Sequence, residues 1–507
     1  MAQPDYDVLI IGAGLSGIGV ARYLARDCPG KRFAILEARA SMGGTWDLFR
    51  YPGIRSDSDM HTMGYAFKPW RHAKAISDGH LIREYIEETA EENGLAAKIR
   101  YEHRVTRAAY DSGQAQWTLV CATPDGEVTI TTRMLFLASG YYKYGEGYLP
   151  EIPGYDAFKG TMIHPQFWPE DYDPAGKRIA IIGSGATAVT LTPTLAQTAA
   201  KVVQVQRSPT YVVNRPSEDR IGNVLKKVIP GTAGYSLARW RIILAGQMRR
   251  KRMARDIKAT KAMMVGAIGQ ELDGKVPGWE AHFTPSYWPG QQRICMVPDG
   301  DFFTALREGK AEMVTGEIER ISPDGVVMKD GQTIEVDTII TATGLVLDYF
   351  GGMKISVDGQ EVEPGKLMIF KGFMYSNLPN LVYFRGYTNA SWTLKVDLVA
   401  EYACRLLRHM DRNGFAQVVP AATEADFATV SNSISFTSGY FLRVMHRLPK
   451  HGESFPWIHK QDYMWDRKTL RRGKVDDGTL TFSTTGARVA FPPAQQAGVP
   501  ADEIAAE

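Results

Sequence analysis

Two glycine-rich turns constrain this chain more than any other feature. The first lies in "YDVLIIGAGLSGIGVARYLAR", where Asp7 to Ile11 read as a buried strand, Gly12-x-Gly14-x-x-Gly17 as a turn, and the residues after it as a helix. In such a unit the glycines allow a tight turn, close approach of backbone to a pyrophosphate and close helix packing, with the phosphates at the helix N-terminus. A second strand, "RFAILE", ends in Glu37, twenty residues past Gly17. A carboxylate there is placed to hydrogen-bond a ribose hydroxyl. Strand, turn, helix and acid in that order predict a dinucleotide site.

The pattern recurs in "KRIAIIGSGATAVTLTPTLA", where Gly183-x-Gly185-x-x-Ala188 encloses Ala186 and Thr187 and opens another helix. The next strand, "KVVQVQRSPT", ends differently, with Gln206, Arg207 and Ser208 where an acid would stand. No carboxylate is offered to a ribose 2′-hydroxyl, and a guanidinium is available for a 2′-phosphate, which favours NADPH over NADH. Two dinucleotide sites on one chain imply that two dinucleotides react with each other. FAD in the first and NADPH in the second fits, because flavin accepts hydride and passes electrons onward. A disulfide reductase would need a close cysteine pair. Cys28, Cys121, Cys295 and Cys404 are far apart in sequence and form no CxxC or metal-ligand pattern. No metal site is therefore expected, and oxygen is left as the electron acceptor.

A chain of 507 residues calls for two or more domains. The fold class expected is α/β, with two Rossmann-like dinucleotide-binding domains and a helical insert. Residues 1–145 form the first part of the FAD domain; 146–335 form the NADPH domain with an insert at about 220–290; 336–490 complete the FAD domain; and the Pro- and Ala-rich tail, 491–507, is expected to be disordered. The strand "MLFLASGYY" running into Gly140 resembles "DTIITATGL" at 337–345, so the chain is expected to re-enter the first domain near Ala342-Thr343-Gly344. A hydrophobic share of 44%, a charged share of 23% and a net charge of +3 suit a globular protein that does not bind nucleic acid. No signal peptide or membrane span is read, and the cysteine usage fits a cytoplasmic setting. Residues 236–266 carry nine Lys or Arg against one acid, Asp256. This stretch is either a solvated helical cap or a basic amphipathic helix resting on an anionic membrane surface. Nothing in the sequence sets an oligomeric state.

Between the two fingerprints lies "FKGTMIHPQFWP", which alternates too poorly for a strand, while Trp168 before Pro169 stops a helix. A fixed loop remains, Phe158-x-Gly160-x-x-x-His164-x-x-x-Trp168-Pro169. A second motif, "GGTWDLFRYPGIRSD", holds Gly43, Gly44, Thr45, Trp46, Tyr51, Pro52, Gly53 and Asp57. With these two motifs beside the two turns, the chain resembles the type I Baeyer–Villiger monooxygenases of the flavin-containing monooxygenase superfamily. Stretches such as "GYTNASWTLK" are most similar to the ethionamide-activating branch.

The resemblance implies an NADPH-dependent flavoprotein that uses O2 through a C4a-peroxide of the flavin. It inserts one oxygen beside a ketone carbonyl to give an ester or lactone, with sulfoxidation as a side activity and a ketone or sulfide as substrate. Negative charge on oxygen then calls for a fixed cation. By position Asp57 is the family's aspartate and Arg293, in "WPGQQRICMVP", its arginine, with Arg55 the competing candidate. The resemblance places Gly44, Thr45, Trp46, Asp57, Val105 and Asn389 with Gly12, Gly14, Gly17 and Glu37 at FAD. It places His164 and Trp168 with Gly183, Gly185, Ala186, Thr187, Arg207 and Ser208 at NADPH. Asn389 and Ser391 would contact the flavin pyrimidine at a helix start. The family's mobile late loop has no firm register, with Trp457 its candidate. Two alternatives stay open: a heteroatom monooxygenase acting on amines or sulfides, and a redox-sensing flavoprotein with no oxygenase activity.

Overall fold

The structure, a computed structural model, describes residues 3–431 and 437–488. Its first sheet is built around Tyr6–Ile11, which pairs in parallel with Phe33–Leu36 on one side and Gly126–Leu137 on the other. Val8, Leu9 and Ile10 are fully buried, as expected for a parallel strand covered on both faces. The sheet continues antiparallel through Gln116–Thr123 to Arg104–Asp111. Two of its strands, Lys354–Val357 and Leu381–Tyr383, come from after the second fingerprint. The first sheet thus draws strands from both sides of the second fingerprint in the sequence.

The second sheet is five-stranded and parallel, in the order Ala311–Thr315, Lys201–Gln206, Arg178–Ile182, Thr338–Thr341, Thr161–Ile163. Its last strand corrects the sequence reading of 158–169 as loop throughout. Thr161–Ile163 pairs with Thr338 to Ile340 at the sheet edge, too short a strand for alternation to reveal. His164 then caps a 3₁₀ turn over Pro165–Phe167. The two crossings between the sheets, Tyr142–Gly147 and Leu345–Leu347, pair with each other antiparallel.

The insert is a set of helices, chiefly Arg220–Val228, Thr232–Arg255 and Ile257–Leu272. A single helix across 236–266 is not formed. Asp256 is extended, and its side chain accepts from the Ala259 N–H at 2.8 Å, capping the next helix. One of the nine cations is interior: Arg239 is buried, donates to the carbonyls of His61, Thr62 and Gly64, and pairs with Asp397 at 3.0 Å. Tyr235 and Ile243 join the first domain's core. Although it follows the second fingerprint in the sequence, this helix seats against the core around the first sheet. The tail from 491 lies outside the described residues.

Candidate active site

A cavity of about 900 Å³ runs between the two sheets and takes lining residues from both fingerprints. At its first end the turn is held by backbone contacts that leave no room for side chains. A Cβ on Gly17 would lie 1.8 Å from the Gly12 carbonyl oxygen, and Gly12 itself has a φ of +101°. Gly14 lies against the second motif, forming a bridge with Gly43 and leaving 3.3 Å between a built Cβ and the Gly44 Cα. Glu37 lines the same end. Its two oxygens accept from the N–H groups of Ala13 at 2.8 Å and Arg39 at 3.0 Å. Burial pushes this carboxyl up and the two donors pull it down, with burial the larger. Each oxygen keeps a lone pair for a ribose hydroxyl. Thr45, Trp46 and Val105 line the walls. A glycine cradle at a helix start, an acid at the end of the adjacent strand and an aromatic-walled slot beyond fit FAD.

At the other end Ala186, Thr187, Val189 and Thr190 of the helix Ala186–Leu195 face the cavity. Gly183 (φ +147°) presses on the Ala342 carbonyl, whereas a Cβ on Gly185 would meet no atom within 4 Å. Gln206 turns inward, its amide donating to the His282 carbonyl at 2.7 Å and the Thr315 hydroxyl at 2.9 Å. Arg207 and Ser208 stand exposed at the strand end, outside the cavity, and Arg207 has no ion pair among the described residues. An uncommitted guanidinium there suits a 2′-phosphate.

The segment 43–57 joins the two ends. Its start rests on the first turn, while Phe49 and Tyr51 are buried in the second domain's core and a Cβ on Gly53 (φ +75°) would lie 2.2 Å from the Thr194 hydroxyl. It delivers Asp57 to the middle of the cavity, where Asp57 Oδ2 accepts from Arg293 Nη1. Arg293 is about two-fifths exposed and makes no other ion pair among the described residues. Arg55 also lines the cavity but is committed to Asp301 at 2.5 Å. Of the two candidate arginines, Arg293 is the one held by Asp57.

Residues 6–230 match a family described as pyridine nucleotide-disulphide oxidoreductase. The FAD-containing monooxygenase EthA of Mycobacterium tuberculosis is 46% identical over 486 residues, covering 95% of this chain and 99% of that one. The probable FAD-binding monooxygenase AlmA of Acinetobacter baylyi is 42% identical over 482 residues, covering 95% and 96%. The chain belongs to the FAD-containing monooxygenases. Within them its paired motifs set it in the type I Baeyer–Villiger family, beside the EthA relatives. The fold is that of a steroid monooxygenase crystallised with NADP (TM-score 0.75, 20% identity, 94% of this chain and 99% of that one) and of cyclohexanone monooxygenase (TM-score 0.74, 20% identity, 94% and 99%). The protein is an NADPH-dependent flavoprotein monooxygenase that uses FAD, NADPH and O2.

Several residues of the monooxygenase sit elsewhere than the sequence suggested. His164 and Trp168 do not line the cavity. The His164 ring packs on Gly147 of one crossing strand, its Nδ1 accepts from the Gln166 N–H at 3.2 Å, and burial lowers its pKa. Trp168 packs edge-on against Tyr172 at 5.5 Å. The residue that ties the loop to the crossing strand is Gln166, which sequence reasoning missed. Its buried amide donates to the carbonyls of Lys143 (2.9 Å), Tyr144 (2.8 Å) and Glu146 (3.3 Å). An amide in an aromatic-rich loop gives no sequence signal for that role.

Asn389 faces the surface, accepting from Arg250 at 3.0 Å and donating to the Gln461 carbonyl at 3.2 Å. Ser391 is buried against the Thr62 hydroxyl at 2.6 Å. Tyr387, Ala390 and Trp392 line the cavity in their place. Trp457 is buried and packs on Phe370, part of the FAD-side core.

The cysteines also need a correction. Cys28 and Cys404, remote in sequence, touch in space, with the Cys28 thiol 3.6 Å from the Cys404 carbonyl. Neither lines the cavity. Among the described residues no group of three His, Cys, Asp or Glu side chains is arranged to hold a metal.

Proposed function

We propose that this monooxygenase inserts one oxygen atom from O2 beside a ketone carbonyl, releasing an ester or lactone, with sulfoxidation as a side activity. The observation that carries this is the Arg293–Asp57 pair in the cavity between the two fingerprints. FAD, when bound, supplies the hydride acceptor and the activation of oxygen. Around it, Glu37 and the first turn hold the cofactor, and the Trp46, Tyr141 and Trp392 rings exclude water. Asp57 fixes the plane of the Arg293 guanidinium, which presents a preorganised cation where charge accumulates on oxygen. A thioether sulfur needs no such polarised carbonyl, so its oxidation depends less on the pair. Residues 1–145 and 336–490 are assigned to FAD, and 146–335 to NADPH. Product analysis with linear, cyclic and aryl ketones and a thioether, under NADPH and O2, tests the reading. Ester from at least one ketone is expected; sulfoxide alone would move the enzyme to heteroatom oxidation.

Arg207 is assigned to the 2′-phosphate of NADPH. A charge-assisted bond of this kind contributes roughly 1.5–3 kcal/mol, or about 10- to 100-fold in affinity. Arg207→Ala should raise the NADPH Michaelis constant by that factor and move the NADH constant little. Equal losses for both cofactors in steady-state kinetics would remove the assignment.

The helices of the insert are assigned to contact with an anionic membrane surface. No helix among the described residues is long and apolar enough to cross a membrane, so the contact would be peripheral. Ile221, Val224 and Val228 form an exposed stripe at helical spacing on Arg220–Val228, and Leu237, Leu244 and Met248 form another on Thr232–Arg255, all between 47% and 71% exposed. The second stripe continues into exposed Lys251, Arg252 and Arg255. Apolar side chains flanked by cations match a bilayer of anionic lipid. The protein should pellet with phosphatidylcholine vesicles containing phosphatidylglycerol at low salt and release as salt rises, since exposed charge is screened over about 10 Å at 0.1 M. Met248→Asp with Val228→Asp should prevent pelleting. No pelleting at low salt would leave a solvated cap.

A further inference from the structure

Beside the Arg293–Asp57 pair the main cavity adjoins a small recess of about 10 Å³ that shares Tyr141, Arg293, Tyr387 and Trp392 with it and adds Arg385, Thr388, Tyr440 and Phe441. Arg385 follows the strand Leu381–Tyr383 into the partly buried interior. Its guanidinium carbon lies 5.7 Å from the ring centroids of both Tyr141 and Tyr349 and 6.0 Å from that of Phe441, and Nη1 donates to the Tyr349 hydroxyl. That is its one hydrogen bond among the described residues, and it makes no ion pair with them. Ring faces offset part of the cost of removing a cation from water, but a guanidinium with donors to spare is a strong site for a carboxylate.

The walls of the recess sharpen this. The Tyr387 hydroxyl donates to Asp466 at 2.6 Å, the Tyr141 and Tyr142 hydroxyls bond each other at 2.9 Å, and the Trp392 N–H donates to Ser16 at 2.7 Å. With these polar tips committed, the Tyr141, Tyr387 and Trp392 rings present apolar surface, Thr388 and Tyr440 contribute hydroxyl-bearing side chains to the lining, and the charged groups of the recess are the two arginines. Asp57 answers one of them; nothing in the described protein answers the other. An apolar slot with a cation at the reacting carbonyl and a second, unanswered cation beyond it matches a ligand that is polar at two points and hydrocarbon between them.

We propose that Arg385 binds the carboxylate of the substrate, so that the enzyme acts on keto acids whose ketone lies at Arg293 and whose acid end lies at Arg385. This rests on the ketone-oxidising reading of the site. The acid gives a bidentate pair to a guanidinium that otherwise lacks a counter-charge, and a neutral ester of the same length does not.

The test compares oxo acids from 4-oxopentanoate to 8-oxononanoate with their methyl esters, under NADPH and O2. The parent enzyme should favour at least one acid over its ester in kcat/KM by at least about tenfold, the scale of one charge-assisted bond. In Arg385→Gln that acid-to-ester ratio should fall to near one, and Arg385→Lys should recover part of it. Binding is read separately, by titrating hexanoate and methyl hexanoate against the absorbance of the bound flavin. Hexanoate should perturb the parent spectrum and bind at least tenfold more weakly to Arg385→Gln. If esters prove better than acids throughout, or the ratio is unchanged in Arg385→Gln, the proposal is wrong. If no ketone is oxidised, yet hexanoate binding depends on Arg385, the anion site stands and the ketone reading fails. Should Arg385→Gln fail to fold, the parent acid-to-ester ratio and Arg385→Lys still decide.

Discussion

Arg293→Ala should take hydride from NADPH at close to the parent rate and yet lose ester formation by about two to three orders of magnitude, the usual effect of removing one preorganised charge-stabilising group. The two halves of turnover differ in where charge appears. Hydride transfer between the two cofactors would leave its negative charge spread over the flavin ring and needs no cation at a substrate oxygen. Oxygen transfer to a carbonyl, on the proposed reading, would concentrate charge on one oxygen in a cavity walled by Trp46, Tyr141 and Trp392. Reducing equivalents that cannot reach substrate should leave as hydrogen peroxide. Asp57→Ala should act in the same direction and more mildly, since it orients the guanidinium. Arg293→Lys restores a charge but not the planar fork, so at best it rescues in part. Rapid-mixing absorbance follows flavin reduction, and gas chromatography follows the ester. Ester at the parent rate from Arg293→Ala would pass the role to Arg55, which the structure ties to Asp301.

Gly17→Ala should yield protein that folds but carries little flavin, with FAD affinity about a hundredfold lower. A methyl group there would sit 1.8 Å from the Gly12 carbonyl oxygen, so backbone must move against backbone. Overpacking of this kind costs about 1–3 kcal/mol, and here the displaced atoms are the turn and helix start that would receive the pyrophosphate. Gly185→Ala is the contrast: it occupies the matching place in the second turn, where a Cβ meets no atom within 4 Å, and it should keep its FAD. Flavin absorbance per polypeptide after gel filtration, with circular dichroism as the check on folding, reads both. A fully flavinated Gly17→Ala would show that the turn tolerates opening.

The fingerprints were readable because backbone chemistry dictates them: only glycine fits Gly12, Gly17 and Gly183, and buried parallel strands announce themselves by apolar runs. The pairing of Asp57 with Arg293 came from family resemblance, since 236 residues separate them and no periodicity links them. Tertiary contacts hid the rest. Arg239 reads as one more surface cation until Asp397 is found beside it, and Thr161–Ile163 is too short to alternate. Asn389 looked placed for a flavin because it opens toward a helix, but Arg250 and Gln461 hold it outward. Gln166, Arg385 and the Cys28–Cys404 contact depend on partners far away in sequence, which composition and spacing do not encode.

The segment 43–57 begins on the first turn, passes through the core beneath the second sheet at Phe49 and Tyr51 and ends at Asp57 in the cavity, with Gly53 pressed against Thr194 of the helix that opens the second turn. Such a strap is a route by which the two cofactor sites would be coupled, and any coupling between them is reciprocal. Whatever factor bound FAD adds to the affinity for NADP, NADP must return to the affinity for FAD, because both measure one coupling free energy. A nicotinamide cofactor that stays through the catalytic cycle would then also guard against loss of flavin, so cofactor retention and turnover would draw on the same fifteen-residue stretch of chain.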